Sequence, residues 1–204
     1  MQHLRLPPSA LQRPIRRTII IMTKFKYALM TALLIGALPL MAQPQPAKRA
    51  NSSGGNSPHE TTGAIVDGDR VTITYGRPSM KGREIWGKLV PYGKVWRTGS
   101  DEATILITQK PITIGDVNVP AGAYTLFTIP NEDGSAKLII NKQIGQWGIG
   151  PGSYDEKQDL GRVDMKKETL DAPVEEFTIA VTREGQIKMS WDKTQYSVSF
   201  KVQK

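Results

Sequence analysis

The chain reads as all-β: an antiparallel β-sandwich of jelly-roll or Greek-key type with about eight to ten short strands, a closed β-barrel being the alternative. Three observations predict this. Apolar and polar residues alternate at period two through most of the chain beyond residue 57. Tight-turn dipeptides recur between these runs. No stretch sustains the 3.6-residue period of an amphipathic helix.

In "RVTITYG", Val71, Ile73 and Tyr75 share one side, with Thr72 and Thr74 opposite. "EFTIAVTRE" sets Phe177, Ile179 and Val181 against Thr178, Ala180 and Thr182. "QIKMSWD" groups Ile187, Met189 and Trp191, and "QYSVSFKV" groups Tyr196, Val198, Phe200 and Val202. One greasy face and one wet face per strand is what an antiparallel sheet packed on one side requires. Further strands are expected over 103–109, 111–114, 123–129, 137–141 and 162–166. Asp67-Gly68, Gly115-Asp116, Asp133-Gly134 and Glu184-Gly185 mark turns. A short helical turn at 83–89 is conceivable between Gly82 and Pro91. Two connections, 76–94 and 142–161, exceed plain hairpin turns, and long loops on a rigid scaffold are where function concentrates.

The formal charge of +8 suggests nucleic acid until it is divided along the chain. Residues 1–42 carry six basic side chains and no acid, which leaves 21 Lys and Arg against 19 Asp and Glu beyond them. That remainder gives no electrostatic reason to seek DNA or RNA. The basic excess belongs to a leader. "MTKFKYALMTALLIGALPLMAQ" (22–43) has a positive start, an apolar run at 27–40 and a small residue, Ala42, before Gln43. This is the pattern of a secretory signal peptide, with translation expected to begin at Met22. The apolar run is shorter than the roughly 20 residues of a spanning helix, so the mature chain is expected to carry no transmembrane anchor and to lie in the periplasm or outside. Residues 43–56, rich in Pro, Gln, Ser, Gly and Asn, read as a flexible tether, and 57–204 as the domain.

The chain has no cysteine and only two histidines, one of them, His3, in the leader. Thiol chemistry, Cys metal sites and multi-His metal sites are thereby excluded, and any Ser-His-Asp arrangement would have to recruit His59. There is no G-x-S-x-G elbow, P-loop or dinucleotide fingerprint. "DGD" (67–69) and "NEDGS" (131–135) lack calcium-loop spacing and read as turns. No cofactor or metal is expected.

Six motifs carry a family resemblance: "SPHETT" (57–62), "VTITYGRP" (71–78), "IWGKLVPYGKVWRTGSDEAT" (85–104), "PAGAYTLFTIP" (120–130), "KLIINKQIGQWG" (137–148) and "SWDKTQYSVSF" (190–200). In these the chain closely resembles the exported bacterial family catalogued as domain of unknown function 2911. The resemblance implies export and a β-rich fold. It supplies no activity and no catalytic residues.

The densest stretch is "VPYGKVWRTGSDEAT" (90–104). In an extended segment Val95 and Arg97 point one way and Trp96 the other. An inward guanidinium needs a partner, because burying it unpaired costs several kcal/mol. Asp101 or Glu102 supplies one across a turn at Gly99, as a clamp. The competing reading has Arg97 gripping an anionic or hydroxyl-rich ligand, with Trp96 or Tyr92 as a stacking wall. Arg77, held extended before Pro78, fixes its loop or binds. Arg83 is a solvated loop charge or a ligand contact. His59 caps the first strand or acts as a lone acid/base or binding group. Trp191 is expected in the core and Trp96 in or near it. Trp86 and Trp147 lie in glycine-flanked loops, where such rings plug a sandwich end or stack on sugars.

The function expected is a non-catalytic binding or envelope-associated module, its partner a glycan or another envelope component. One alternative is a hydrolase pairing Asp101 or Glu102 with Asp155, Glu156 or Asp159 across a cleft. A purely structural or assembly module is the other.

Overall fold

The computed structural model describes residues 57–148 and 152–204. The leader and tether expectations fall outside these residues. Nine strands form: β1 (His59–Val66), β2 (Asp69–Gly76), β3 (Thr104–Thr108), β4 (Ile112–Ile114), β5 (Val117–Val119), β6 (Gly122–Pro130), β7 (Ala136–Asn141), β8 (Asp159–Val181) and β9 (Gln186–Val202). Among the described residues these strands all pair antiparallel, in the order β1-β2-β3-β6-β7-β8-β9-β4-β5. With β1 and β5 at opposite ends the sheet is not closed, so the fold is of the sandwich type and not a barrel. The segment at 83–89 makes turns and a bridge between Trp86 and Val90, without a helix.

Most of the strands are short, whereas β8 and β9 run for 23 and 17 residues. β8 serves both layers. Its Asp159–Met165 portion lies beside β7, and from Lys166 onward it pairs with β9. The β8–β9 register shifts twice between Thr169 and Thr178, around Pro173, which has no N–H to give to a ladder. β9 contains its own bulge. Inward residues change phase from Ile187, Met189 and Trp191 to Thr194, Tyr196, Val198 and Phe200. Asp192, at φ 49°, is the extra residue that absorbs the slip.

The layers meet on a core built by the alternation. Val71, Ile73, Tyr75, Leu106 and Leu126 face Phe177, Ile179, Met189 and Trp191, all buried. At roughly 25 cal/mol per Å² of apolar area, such faces are the main stabilising contribution of a cysteine-free chain. Tyr75 spans the core: its hydroxyl accepts from Ile179 N (2.8 Å) and donates to Ile179 O (3.3 Å). Burial pushes this phenol up to about 12. Asp69, fully buried, accepts from Thr108 Oγ1 and from the amides of Gln109 and Lys110, so the "DGD" turn also anchors the chain leaving β3.

A second, smaller core lies on the other face of β6 and β7, where Ala103, Phe127 and Ile139 receive Ile129 and Tyr154. Through it the loop after β7 is drawn back over the sheet, next to the loop that precedes β3.

Candidate functional site

The loop preceding β3 is fixed from three sides. Trp96 exchanges backbone hydrogen bonds with Thr128 on β6 (2.8 and 2.9 Å). Thr98 is buried, its hydroxyl 2.8 Å from that of Thr128, and its carbonyl accepts from Thr104 Oγ1 at 2.7 Å. Ser100 N reaches Gly76 O at 3.3 Å, and Gly76 permits it because a Cβ there would strike Ser100. These contacts hold Thr98 and Asp101 at φ 58° and 62°. A β-branched residue in the left-handed region costs on the order of 1–3 kcal/mol, sustained only by an over-determined surrounding. Such strain is typical of sites where side chains must be aimed.

What the loop aims is the 97–101 cluster. A cleft of about 340 Å³ opens beside it. Arg97, Ser100 and Asp101 form its polar side, and Leu89, Val90, Val95, Trp96 and Trp191 its apolar side. Arg83, Pro78, Ser57 and Gly148 complete the lining. Gly148 is needed for space: a Cβ there would land on the Arg97 side chain.

Arg97 is half-buried, and the one hydrogen bond its guanidinium makes among the described residues is Nε to Gly99 O at 3.2 Å. Nη1 and Nη2 meet no acceptor among the described residues. The clamp onto Asp101 or Glu102 is therefore not formed; Glu102 turns to His59 instead, Oε2 to Nε2 at 2.6 Å. The physical reason is the backbone: left-handed Asp101 directs its own side chain away from ion-pair distance, and the next residue points outward to β1. Burial lowers the Arg97 guanidinium from its ordinary value, and the nearby Asp101 carboxylate partly offsets this. Asp101 Oδ2 and Ser100 Oγ are both shielded from solvent and without a hydrogen-bond partner. A cation and an anion thus stand close without touching, each with unmet hydrogen-bonding capacity.

Of the ten candidate residues, Arg97, Asp101, Trp96 and Arg83 line the cleft. Arg83 is tied locally, donating to Met80 O (2.9 Å) and Ser79 O (2.6 Å). The other six do not line it. Arg77 staples the layers, with ion pairs to Glu60 (2.7 Å) and Glu176 (3.3 Å) and hydrogen bonds to Phe177 O and Thr178 Oγ1. His59 and Glu102 pair on the other face of β1 and β2. Trp86 is half-buried among Trp96, Trp191 and Tyr196, edge-on to all three. Trp96 stacks on Trp191 at 5.9 Å. Tyr92 is exposed and sits over Gly87, and Trp147 is exposed on a segment bridged to Glu102. Apart from Asp101, the acids of the hydrolase reading are engaged elsewhere, Glu102 with His59. Asp159 and Glu156 pair with Arg162, and Asp155 caps a short 3-10 turn. Asp101 is the one carboxylate among the residues lining the cleft.

Sequence reasoning missed Ser100, Leu89, Val95 and Gly148. The signal available was the Gly99-Ser100 pair and the "QWG" glycine, and nothing local announces that the latter packs against Arg97 from a distant loop.

The molecule is thus an antiparallel sandwich carrying a small amphipathic cleft against its aromatic cluster. The chain belongs to the family described as a protein of unknown function, DUF2911, which matches over residues 57–200. No curated protein and no solved structure matches it. Among the described residues no helix is long and apolar enough to cross a membrane.

Proposed function

We propose that this protein is an exported, non-catalytic binding module of the cell envelope, and that the cleft beside Arg97 is its binding site. One observation carries the reading: a half-buried guanidinium, whose Nη1 and Nη2 meet no acceptor among the described residues, lines a cleft on a strained, firmly anchored loop. A structural arginine in this same chain has every guanidinium nitrogen partnered, as Arg77 shows. The leader at 1–42 supports export. A glycan occupant draws support from the exposed Trp147 ring alone, and that ring is outside the cleft lining. A single lining carboxylate favours retention over the two-carboxylate chemistry of glycoside hydrolysis.

The test is a thermal-shift screen of sugars, cell-wall fragments and small carboxylates, run with an assay for released product. The expected result is a stabilising ligand whose effect disappears in Arg97→Ala. Turnover of any compound, or a shift that Arg97→Ala leaves intact, contradicts the reading.

A further inference from the structure

The chemistry of the cleft narrows its ligand, on the premise that the cleft is the binding site. Three features must be matched together. The first is Arg97, whose Nη1 and Nη2 form a fork suited to two oxygens of a carboxylate. The second is Asp101, four residues on, whose Oδ2 is shielded from solvent, has no hydrogen-bond partner among the described residues and can only accept. The third is the apolar side, where exposed Leu89 and Val95 stand with buried Val90 and Trp191.

Asp101 and Arg97 are near enough to attract each other, yet the left-handed backbone at Thr98 and Asp101 keeps them out of ion-pair contact. A pair held apart in this way is complementary to a ligand that carries an anionic group and a hydrogen-bond donor side by side. Neutral sugars offer donors and no anion. Simple fatty acids offer an anion and no donor. With Arg83 also in the lining, cations outnumber the carboxylate, which favours a ligand bearing a carboxylate. The volume of about 340 Å³ lies at the small end of the roughly 300–1,000 Å³ of ligand sites.

The geometry points to the α-carboxylate end of an apolar amino acid, free or as the C-terminus of a short peptide, as the group this cleft takes. Its carboxylate lies on Arg97, its α-nitrogen donates to Asp101, and its side chain lies against Leu89, Val95 and Trp191.

Four probes test this by titration calorimetry on the protein expressed from its complete coding sequence. L-leucine represents the free amino acid and N-acetyl-L-leucine the peptide terminus. L-leucinamide lacks the carboxylate, and 4-methylpentanoate lacks the nitrogen. At least one of the first two is expected to bind, with each of the last two at least tenfold weaker. Arg97→Gln is expected to abolish binding and Asp101→Asn to weaken it at least tenfold. Asn tolerates the left-handed conformation, so Asp101→Asn leaves the loop intact, and near-UV circular dichroism checks that both variants are folded. Preference for leucine or for its acetyl form assigns the source. Leucinamide binding as tightly as leucine overturns the proposal, as does silence from all four probes. If all four are silent while another compound still binds in an Arg97-dependent way, the ligand class is wrong and the site is right. If nothing depends on Arg97, both readings fall.

Discussion

Arg77 and Arg97 lie twenty residues apart in one short stretch, and the fold uses them in opposite ways. Arg77 touches Glu60 on β1 and Glu176, Phe177 and Thr178 on β8, and each of its guanidinium nitrogens has a partner. Arg97 is also drawn out of water, but its loop closes on itself through Gly99 and leaves the guanidinium tip open to a cleft. A buried charge is tolerated when it is paired. One that is half-buried and unpaired costs stability, and a site for a guest is the use that justifies such a cost. The contrast separates a residue that builds the sandwich from one that the sandwich presents.

The largest effect should come from breaking the filled arginine. Arg77→Ala leaves Glu60, 15% exposed in its side chain, without its partner. Denaturant unfolding should show a loss of about 2–3 kcal/mol, below the full penalty of a deeply buried pair because Glu176 remains in part solvated. A loss under about 0.5 kcal/mol would mean that the staple is ornamental.

Next comes Tyr75→Phe, which leaves the amide of buried Ile179 without the hydroxyl it donates to. The expected cost is about 1–2 kcal/mol. The same phenol predicts an alkaline signature. Its folded value of about 12 exceeds its ordinary 10, so its stabilising contribution is complete below pH 10 and is lost as pH rises toward 12. Between those limits the parent should lose stability more steeply than Tyr75→Phe. Because Tyr154 and Tyr196 are also raised to about 12, the variant still loses stability over this range, but less steeply.

Smaller in stability but decisive for binding is Gly148→Ala. Its backbone is not left-handed, so the substitution tests space alone: the new methyl displaces Arg97 from the cleft side. Ligand affinity should fall at least tenfold while the unfolding midpoint moves little. An unchanged affinity would show that the position of Arg97 is immaterial.

The strand pattern was legible because burial on one face writes itself at period two, and Val71, Ile73, Tyr75, Phe177, Ile179 and Trp191 all point inward as their alternation requires. Even the β9 bulge is visible as the odd spacing between Trp191 and Thr194. The continuity of β8 was not, since Pro173 and the run before it resemble a break and only pairing with β9 carries the strand across. At the site, Arg97, Trp96 and Asp101 stood out as a local cluster. Their partners did not, because the Glu102–His59 contact spans 43 residues and the Gly148–Arg97 contact comes from another loop. Local sequence names the groups that are aimed; only the fold decides which of them are already answered.

The most direct measurement puts unfolding and binding on one sample of Arg97→Gln. The account predicts stability within about 1 kcal/mol of the parent, together with complete loss of calorimetric heat for N-acetyl-L-leucine or L-leucine, whichever the parent binds. An unfolding midpoint that falls as far as that of Arg77→Ala, with ligand still bound by the folded fraction, would contradict it.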